Sequence, residues 1–162
     1  MITHETPAGR LTLAASDAGL TRCTTRPARV SAVPTEQAQH WLDLARAELD
    51  MYFAGRLREF TVPVDLSRVD DGRRRILEGL ASVGYGETTS YGKLATQLGL
   101  TSGYEGAKQV GGAMASNPVW IIVPCHRVVG ANGKLTGYAG GLDMKRQLLD
   151  LESHDRAELA LW

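Results

Sequence analysis

The run VPCHRV at positions 123–128 carries the side chains best suited to chemistry in this 162-residue chain. A cysteine thiolate is the strongest nucleophile that a side chain offers, and a histidine network is a common means of generating one. The apolar residues 120–123 predict a strand, which Pro124 should end because proline has no N–H for a ladder. Cys125 would then stand at a strand end. Taken alone, the run is more typical of a buried, inert cysteine than of a catalytic one.

Composition narrows the class of protein. Hydrophobic residues make up 43% of the chain, the formal net charge is zero, and no apolar run is long enough to span a membrane. Neutrality argues against a strongly basic nucleic-acid binder, but residues 73–149 hold nine Lys/Arg against four Asp/Glu, which permits local phosphate binding. Cys23 and Cys125 give neither a disulfide framework nor a zinc cluster. Because no secretory signal is visible, we expect a cytoplasmic protein. Because Cys and His residues at metal-binding spacing are too few, we expect no metal.

The N-terminal half predicts an α/β arrangement. Alternating residues over 8–30 predict strands and turns, and Thr35 is a suitable N-cap for a helix that Gly55 closes. Residues 60–64 predict a short edge strand, limited by a proline. A polar interruption then predicts a boundary, with an N-terminal domain of residues 1–69 and a C-terminal domain of residues 70–162.

The C-terminal half is predicted to be mostly helical. One helix is expected over 73–82, a second is capped by Ser90 and ended by a glycine, and a third covers 106–116. The second and third form a helix-turn-helix pattern. Gly111 and Gly112 are adjacent inside the third helix, which suggests that another backbone approaches closely. Either a packed helix or a nucleic-acid strand explains the pair, and the packed helix is the more common explanation.

The remaining elements follow the reactive run. The Asn132-Gly133 dipeptide favours a hairpin turn, and residues 137–141 form a flexible loop. Asp143 is predicted to cap a final amphipathic helix that ends near Glu152.

The order of these blocks resembles the O6-alkylguanine-DNA alkyltransferases, also called methylated-DNA–protein-cysteine methyltransferases. The matching segments are 85–92, 110–114, 117–118, 122–130, 133–138, 140–142 and 145–146. The resemblance is dense over 73–152 and holds only in outline over 6–13 and 52–55. It implies an α/β N-terminal ribonuclease-H-like domain and a mostly α C-terminal winged-helix-like domain that contains the helix-turn-helix.

The resemblance also implies direct-reversal DNA repair. The alkyl group of O6-alkylguanine, and of O4-alkylthymine, would pass irreversibly to Cys125 in a single turnover, without a cofactor. The partner would be double-stranded DNA, with the alkylated guanine flipped out through the minor groove by helix 106–116. A monomer in solution is implied, and cooperative binding on DNA stays open.

Five residues are implied to carry the chemistry. Cys125 would attack the alkyl carbon as a thiolate, His126 would act as its base through a water, and Glu152 would orient the imidazole. Asn117 would brace the turn around the nucleophile. Tyr91 would donate a hydrogen bond or a proton to guanine N3.

Further residues are implied to contact DNA or to line the pocket. The DNA-contacting set is Lys108, Gly112, Ala113, Met114, Arg127 and Tyr91. The pocket set is Met114, Trp120, Val128, Tyr138, Ala139 and Lys145. Lys108 stands where most family members have arginine, so this chain keeps the charge but loses a planar, bidentate group.

Other departures from the family pattern leave alternatives open. Trp120 replaces a smaller residue, and Ala139 stands where a serine often donates to the base. Gly72 and Gly84 replace an apolar residue and a proline. A specialised alkyltransferase for bulky adducts is therefore one alternative. A non-reactive lesion sensor is another, although Cys125 argues against it because such binding-only relatives lack the cysteine. A cysteine hydrolase is disfavoured because no oxyanion arrangement is evident.

Overall fold

The computed structural model describes residues 1–29 and 32–160, with side chains as far as His154, and divides into two compact units. The first unit consists of Met1–Arg68 and Pro118–Ile122, and the second of Val69–Asn117 and the residues from Val123 onward. The predicted boundary placed 118–122 in the C-terminal domain. These residues instead belong with the first unit, because Cys23 N donates to the Pro118 carbonyl and its own carbonyl accepts from Trp120 N.

A three-stranded antiparallel sheet and one helix make up the regular structure of the described residues of the first unit. The strands are β1 (Ile2–Thr6), β2 (Gly9–Ser16) and β3 (Gly19–Thr24), in that order across the sheet. Helix α1 (Glu36–Phe53) turns its buried residues toward the strands at the spacing of one helical face. Thr35 is its N-cap, accepting from Ala38 N at 3.1 Å, as predicted.

The strand predicted over 60–64 is absent, and Val64 makes only an isolated bridge to Leu20. The buried carboxylate of Glu48 on α1 accepts hydrogen bonds from the backbone N–H groups of Thr61 and Val62. A side chain therefore satisfies the donors that a neighbouring strand would have used.

The second unit contains four helices and a two-residue parallel ladder among its described residues. Its elements are α2 (Asp71–Gly79), a 3₁₀ turn (Leu80–Ser82), β4 (Thr89–Ser90), α3 (Tyr91–Gln97), α4 (Tyr104–Ala115), a second 3₁₀ turn (Cys125–Arg127), β5 (Val128–Val129) and α5 (Leu142–Ala160). Ser90 caps α3 by accepting from Lys93 N at 3.2 Å, as predicted. Strand β5 pairs in parallel with β4.

The glycines of α4 have different surroundings, because Gly106 is closely packed whereas Gly111 and Gly112 face open space. A Cβ on Gly106 would lie 1.9 Å from the Thr101 carbonyl oxygen and 3.1 Å from Ala95 Cβ, so this glycine lets the start of α4 pack closely. A Cβ on Gly111 or Gly112 would meet no described atom within 4 Å. The explanation of this pair by a packed protein helix is therefore wrong.

The segment after the reactive run differs from its prediction. Gly133 has a φ of 73° and forms the expected turn, but no hairpin follows because β5 pairs with β4 instead. Helix α5 begins at Leu142, so Asp143 lies in its first turn and does not cap it. The helix also continues past Glu152 to Ala160. Its sequence holds no Gly or Pro that would end it earlier.

The packing at Gly106 predicts opposite effects of one substitution at two positions on α4. Gly106→Ala should lower the free energy of unfolding by about 1–3 kcal/mol, because the methyl group meets fixed backbone. Gly111→Ala should raise it by up to about 1 kcal/mol, because alanine favours a helix where space is open. Urea denaturation of the two variants beside the parent checks this. Stabilisation by both substitutions would contradict the close packing at Gly106.

Candidate active site

A γ-turn, and not a strand end, presents Cys125. The predicted strand over 120–123 is interrupted at Ile121, which has a φ of 74°. The chain then turns at Pro124, whose φ of −83° and ψ of 60° are those of an inverse γ-turn. Cys125 N donates to the Val123 carbonyl at 2.8 Å, and Cys125 begins the 3₁₀ turn. Proline suits the centre of this turn because its φ is fixed and no N–H is needed there.

Asn117 holds the turn and touches the sulfur. Its Nδ2 donates to the Val123 carbonyl at 3.0 Å and to Cys125 Sγ at 3.1 Å. Asn117 is buried and lies two residues beyond the end of α4. One amide therefore links the end of this helix to the position of the nucleophile.

The two cysteines have different acidities. Burial raises the pKa of Cys125 to about 11, while the hydrogen bond from Asn117 and the charge of Lys145 act in the opposite direction. Burial raises the pKa of Cys23 to about 12. Both are thiols at neutral pH, so Cys125 must lose its proton to another group when it reacts.

The buried side chains of His126, Arg127 and Glu152 form one charged cluster, and two of these residues directly follow Cys125 in the sequence. Glu152 Oε1 is 2.8 Å from His126 Nε2 and accepts from Arg127 Nη2 at 2.9 Å, and its Oε2 accepts from Arg127 Nε at 3.0 Å. Arg127 Nη1 also donates to the Val83 carbonyl at 2.8 Å. Burial by itself would raise the pKa of Glu152, but the hydrogen bonds from His126 and Arg127 outweigh it and lower the pKa to about 2.

The carboxylate decides which nitrogen of His126 carries a proton. Because an ionised Glu152 can only accept, Nε2 must be the N–H, and Nδ1 keeps its lone pair. Burial lowers the pKa of His126, against the raising effect of Glu152, so the ring is neutral near pH 7. Nδ1 is buried and has no hydrogen-bond partner among the described residues. His126 is therefore a neutral ring with its basic nitrogen unoccupied.

Lys145 brings a positive charge into the same interior. Its Nζ donates to the Val128 carbonyl at 2.6 Å and to the Thr136 carbonyl at 3.3 Å, and the residue is 1% exposed. Burial lowers the pKa of Lys145, and the nearby Cys125 opposes this shift. A charge in this position favours a thiolate over a thiol.

Tyr91 and the loop residues lie nearer the surface. Tyr91 is the first residue of α3, and its hydroxyl accepts from Thr136 Oγ1 at 3.0 Å. Tyr138 is half-buried and Ala139 is exposed. Thr136 contacts both Tyr91 and Lys145 but was not predicted as a site residue. Its only signal in the sequence was its place inside the matching segment 133–138.

Comparison with known proteins gives a consistent result over the whole chain. Residues 71–154 match the family model described as 6-O-methylguanine DNA methyltransferase, DNA binding domain, and residues 2–66 match its ribonuclease-like domain. The methylated-DNA–protein-cysteine methyltransferase of Mycobacterium tuberculosis (strain H37Rv) is 45% identical over 99% of this chain and 96% of its own. That of Methanosarcina barkeri is 36% identical, over 93% and 95%. The chain belongs to the methylated-DNA–protein-cysteine methyltransferase family.

A solved structure supports the same assignment. The crystal structure of Mycobacterium tuberculosis OGT in complex with DNA matches with a TM-score of 0.83 and 44% identity, covering 94% of this chain and 92% of that one. The predicted fold class, an α/β ribonuclease-like domain followed by a mostly helical DNA-binding domain, is confirmed. The chain is thus a DNA-binding repair enzyme that transfers a methyl group from methylated DNA to a protein cysteine. None of its described helices is both long and apolar enough to cross a membrane.

Only part of the predicted DNA-contacting set of this methyltransferase lies on its surface. Lys108 is exposed and Gly112 is partly exposed, whereas Ala113 and Met114 are buried. The buried pair lies on the inward face of α4 because helical spacing places it beside Val110. Ala113 and Met114 are therefore corrected from DNA-contacting to core residues of α4.

Arg127 and Trp120 also differ from their predicted settings. Arg127, predicted to bind DNA, is buried, and its guanidinium is bonded to Glu152 and Val83. Its partner is a carboxylate 25 positions away, which the neighbouring sequence could not indicate. Trp120 belongs to the first unit, where it is buried and lies 5.7 Å from the Arg26 guanidinium. It remains a prediction that Trp120 borders the substrate pocket and that the buried Val128 lines it.

The charged cluster predicts a specific acid sensitivity. The folded pKa of Glu152 is lowered from 4.5 to about 2, so the carboxylate stabilises the protein above pH 4.5, and this contribution is lost as the pH falls toward 2. Glu152→Gln leaves the Arg127 charge unpaired and should lower the free energy of unfolding by about 3 kcal/mol at pH 7. Urea denaturation across this pH range should show the variant and the parent converging in acid.

The matched control is Glu78→Gln, which removes an exposed carboxylate from α2 in the same unit. It should change the free energy of unfolding by less than about 0.5 kcal/mol. A constant difference between Glu152→Gln and the parent from pH 7 to pH 2 would show that the charge of Glu152 is not the source of its effect.

Proposed function

We propose that this methyltransferase repairs O6-alkylguanine in DNA by transferring the alkyl group irreversibly to Cys125 in a single turnover. The observation that carries the proposal is the 2.8 Å contact of His126 Nε2 with Glu152, which leaves the buried Nδ1 without a hydrogen-bond partner in the described chain. A group of this kind can take the proton of the neighbouring thiol at the moment of attack. O4-alkylthymine carries the same O-alkyl linkage and is the second expected substrate.

The proton of Cys125 has a defined route. Because the pKa of Cys125 is about 11, the thiol does not ionise by itself at neutral pH. We propose that one water relays its proton to His126 Nδ1. Glu152 stabilises the resulting imidazolium through Nε2, and Lys145 stabilises the thiolate through its charge.

The transfer forms one bond and breaks another. Cys125 Sγ bonds to the alkyl carbon while the bond from that carbon to guanine O6 breaks, and the electron pair leaves with the guanine. The Tyr91 oxygen already accepts a hydrogen bond from Thr136 Oγ1. The Tyr91 O–H is therefore free to donate a hydrogen bond to N3 of the departing guanine anion. The product is a thioether, which offers no easy leaving group, so each molecule acts once.

Delivery of the base requires that the nucleotide leave the duplex, because O6 cannot be reached inside the stack. Helix α4 is suited to this step because Gly111 and Gly112 face open space and Lys108 is exposed beside them. We propose that this surface enters the minor groove and that Lys108 occupies the space left by the flipped base. Every residue of the reaction comes from one chain, which favours one monomer per lesion.

Intact mass spectrometry tests the proposal. Incubation with duplex DNA holding one O6-methylguanine should add about 14 Da, one methyl group, to the Cys125 peptide and then stop. Cys23→Ala should react like the parent, and Cys125→Ala should gain nothing. Three results would contradict the proposal: a methyl group on Cys23, no gain in protein mass, or removal of more than one methyl group from DNA per protein molecule. A parallel O6-benzylguanine substrate separates general repair from a preference for bulky adducts.

A further inference from the structure

Thr136 lies between two groups of the site that come from different helices. Its Oγ1 donates to the Tyr91 hydroxyl oxygen at 3.0 Å, and its carbonyl accepts from Lys145 Nζ at 3.3 Å. Tyr91 begins α3, and Lys145 lies in the first turn of α5. One loop residue therefore contacts both the group proposed to serve the departing guanine and the charge proposed to stabilise the thiolate.

Two backbone contacts hold Thr136 beside β5. Lys145 Nζ donates to the Val128 carbonyl at 2.6 Å as well as to the Thr136 carbonyl, so one ammonium group ties the loop to the start of β5. Gly130, which directly follows β5, donates from its N–H to the Lys134 carbonyl at 2.9 Å. The backbone that carries Thr136 is thus attached to both ends of β5.

The side chain of Thr136 is held by its methyl group. A Cβ on Gly130 would lie 3.3 Å from Thr136 Cγ2, so the glycine leaves the space that this methyl group occupies. Threonine is stiff at χ1 because two heavy atoms branch from its Cβ, so the seat of Cγ2 also sets the direction of Oγ1. In the ladder of β4 with β5, Ser90 lies opposite Val129, which brings Tyr91 alongside Gly130. Oγ1 is therefore held against the Tyr91 hydroxyl.

The direction of this hydrogen bond suits Tyr91 as a donor to the base. The Thr136 hydroxyl carries one hydrogen, and the Tyr91 oxygen is its one hydrogen-bond partner in the described part of the chain. With that hydrogen on the Tyr91 oxygen, the phenol hydrogen must point to another acceptor. A hydrogen bond accepted by an oxygen also polarises its O–H and strengthens it as a donor.

We propose that Thr136 is a positioning residue, whose hydroxyl aims the Tyr91 O–H at guanine N3 and strengthens it as a donor. This inference rests on the proposed function. As the bond from the alkyl carbon to O6 breaks, its electron pair stays on the guanine. Tyr91 donates a hydrogen bond to N3, and Thr136 donates one to the Tyr91 oxygen. Thr136 keeps its own proton and acts on the base only through Tyr91.

Rates of methyl transfer on two duplexes test this role, with protein in saturating excess. One duplex holds O6-methylguanine, and the other holds 3-deaza-O6-methylguanine, in which a C–H replaces N3. Thr136→Val keeps the branched shape and removes the hydroxyl, so it should slow transfer about five- to tenfold on the first duplex. On the second duplex it should match the parent, because no N3 is present for Tyr91 to serve. Thr136→Ser keeps the hydroxyl and should stay within about twofold of the parent on the first duplex.

A double-mutant cycle with Tyr91→Phe tests whether Thr136 acts through the phenol. Adding Thr136→Val to Tyr91→Phe should cost no further rate, because the hydroxyl that Thr136 orients is already gone. In a Cys125→Ala background, Thr136→Val should leave the Kd for the first duplex unchanged, so its effect lies in the transfer step. The matched control is Thr25→Val, an exposed change in the first unit that should not alter the transfer rate.

Several outcomes would overturn the inference. They are a parent rate for Thr136→Val on the first duplex, equal slowing by Thr136→Val on both duplexes, and a further loss when it is added to Tyr91→Phe. A parent protein that reacts equally fast on both duplexes would also overturn it, because N3 would then need no donor. If the parent transfers no methyl group from either duplex, the proposed function itself fails.

Discussion

Glu152 holds a carboxylate in the interior of the second unit, where an unpaired charge would cost several kcal/mol. Arg127 neutralises it through two hydrogen bonds, and His126 lies 2.8 Å away on one of its oxygens. The three groups stabilise one another, so none can be removed without leaving a buried polar atom unsatisfied. This cluster also fixes the tautomer of His126, and the acid-base behaviour of the site follows from that constraint.

Asn117 couples helix α4, which we propose faces the DNA, to the nucleophile. Its amide bonds to both the Val123 carbonyl and Cys125 Sγ, and it lies just beyond the end of α4. A displacement of this end of the helix would therefore change the γ-turn that places the sulfur. A change in α4 can therefore affect the reactivity of Cys125 without touching the reacting atoms.

Sequence reasoning succeeded where the signal was local or where several residues matched a family in order. Thr35 and Ser90 cap helices as expected, because a capping side chain bonds to a backbone N–H only three residues ahead. The approach of His126 to Glu152 spans 26 positions and was predicted only through the family resemblance. The segment 120–123 was wrongly predicted to be a strand, because no propensity anticipates a positive φ at a β-branched residue such as Ile121. Arg127 was misassigned because its tertiary partner decides its role.

The protonation state of His126 is the central claim, and ¹⁵N NMR of the imidazole nitrogens tests it most directly. Spectra of the unreacted protein at pH 7, assigned by comparison with His126→Gln, separate a protonated nitrogen from one with a lone pair. We expect Nε2 to be protonated and Nδ1 to carry a lone pair. The ring should also stay neutral at a pH somewhat below the ordinary histidine pKa, because burial lowers the pKa of His126. A protonated Nδ1, or an imidazolium at pH 7, would contradict the account.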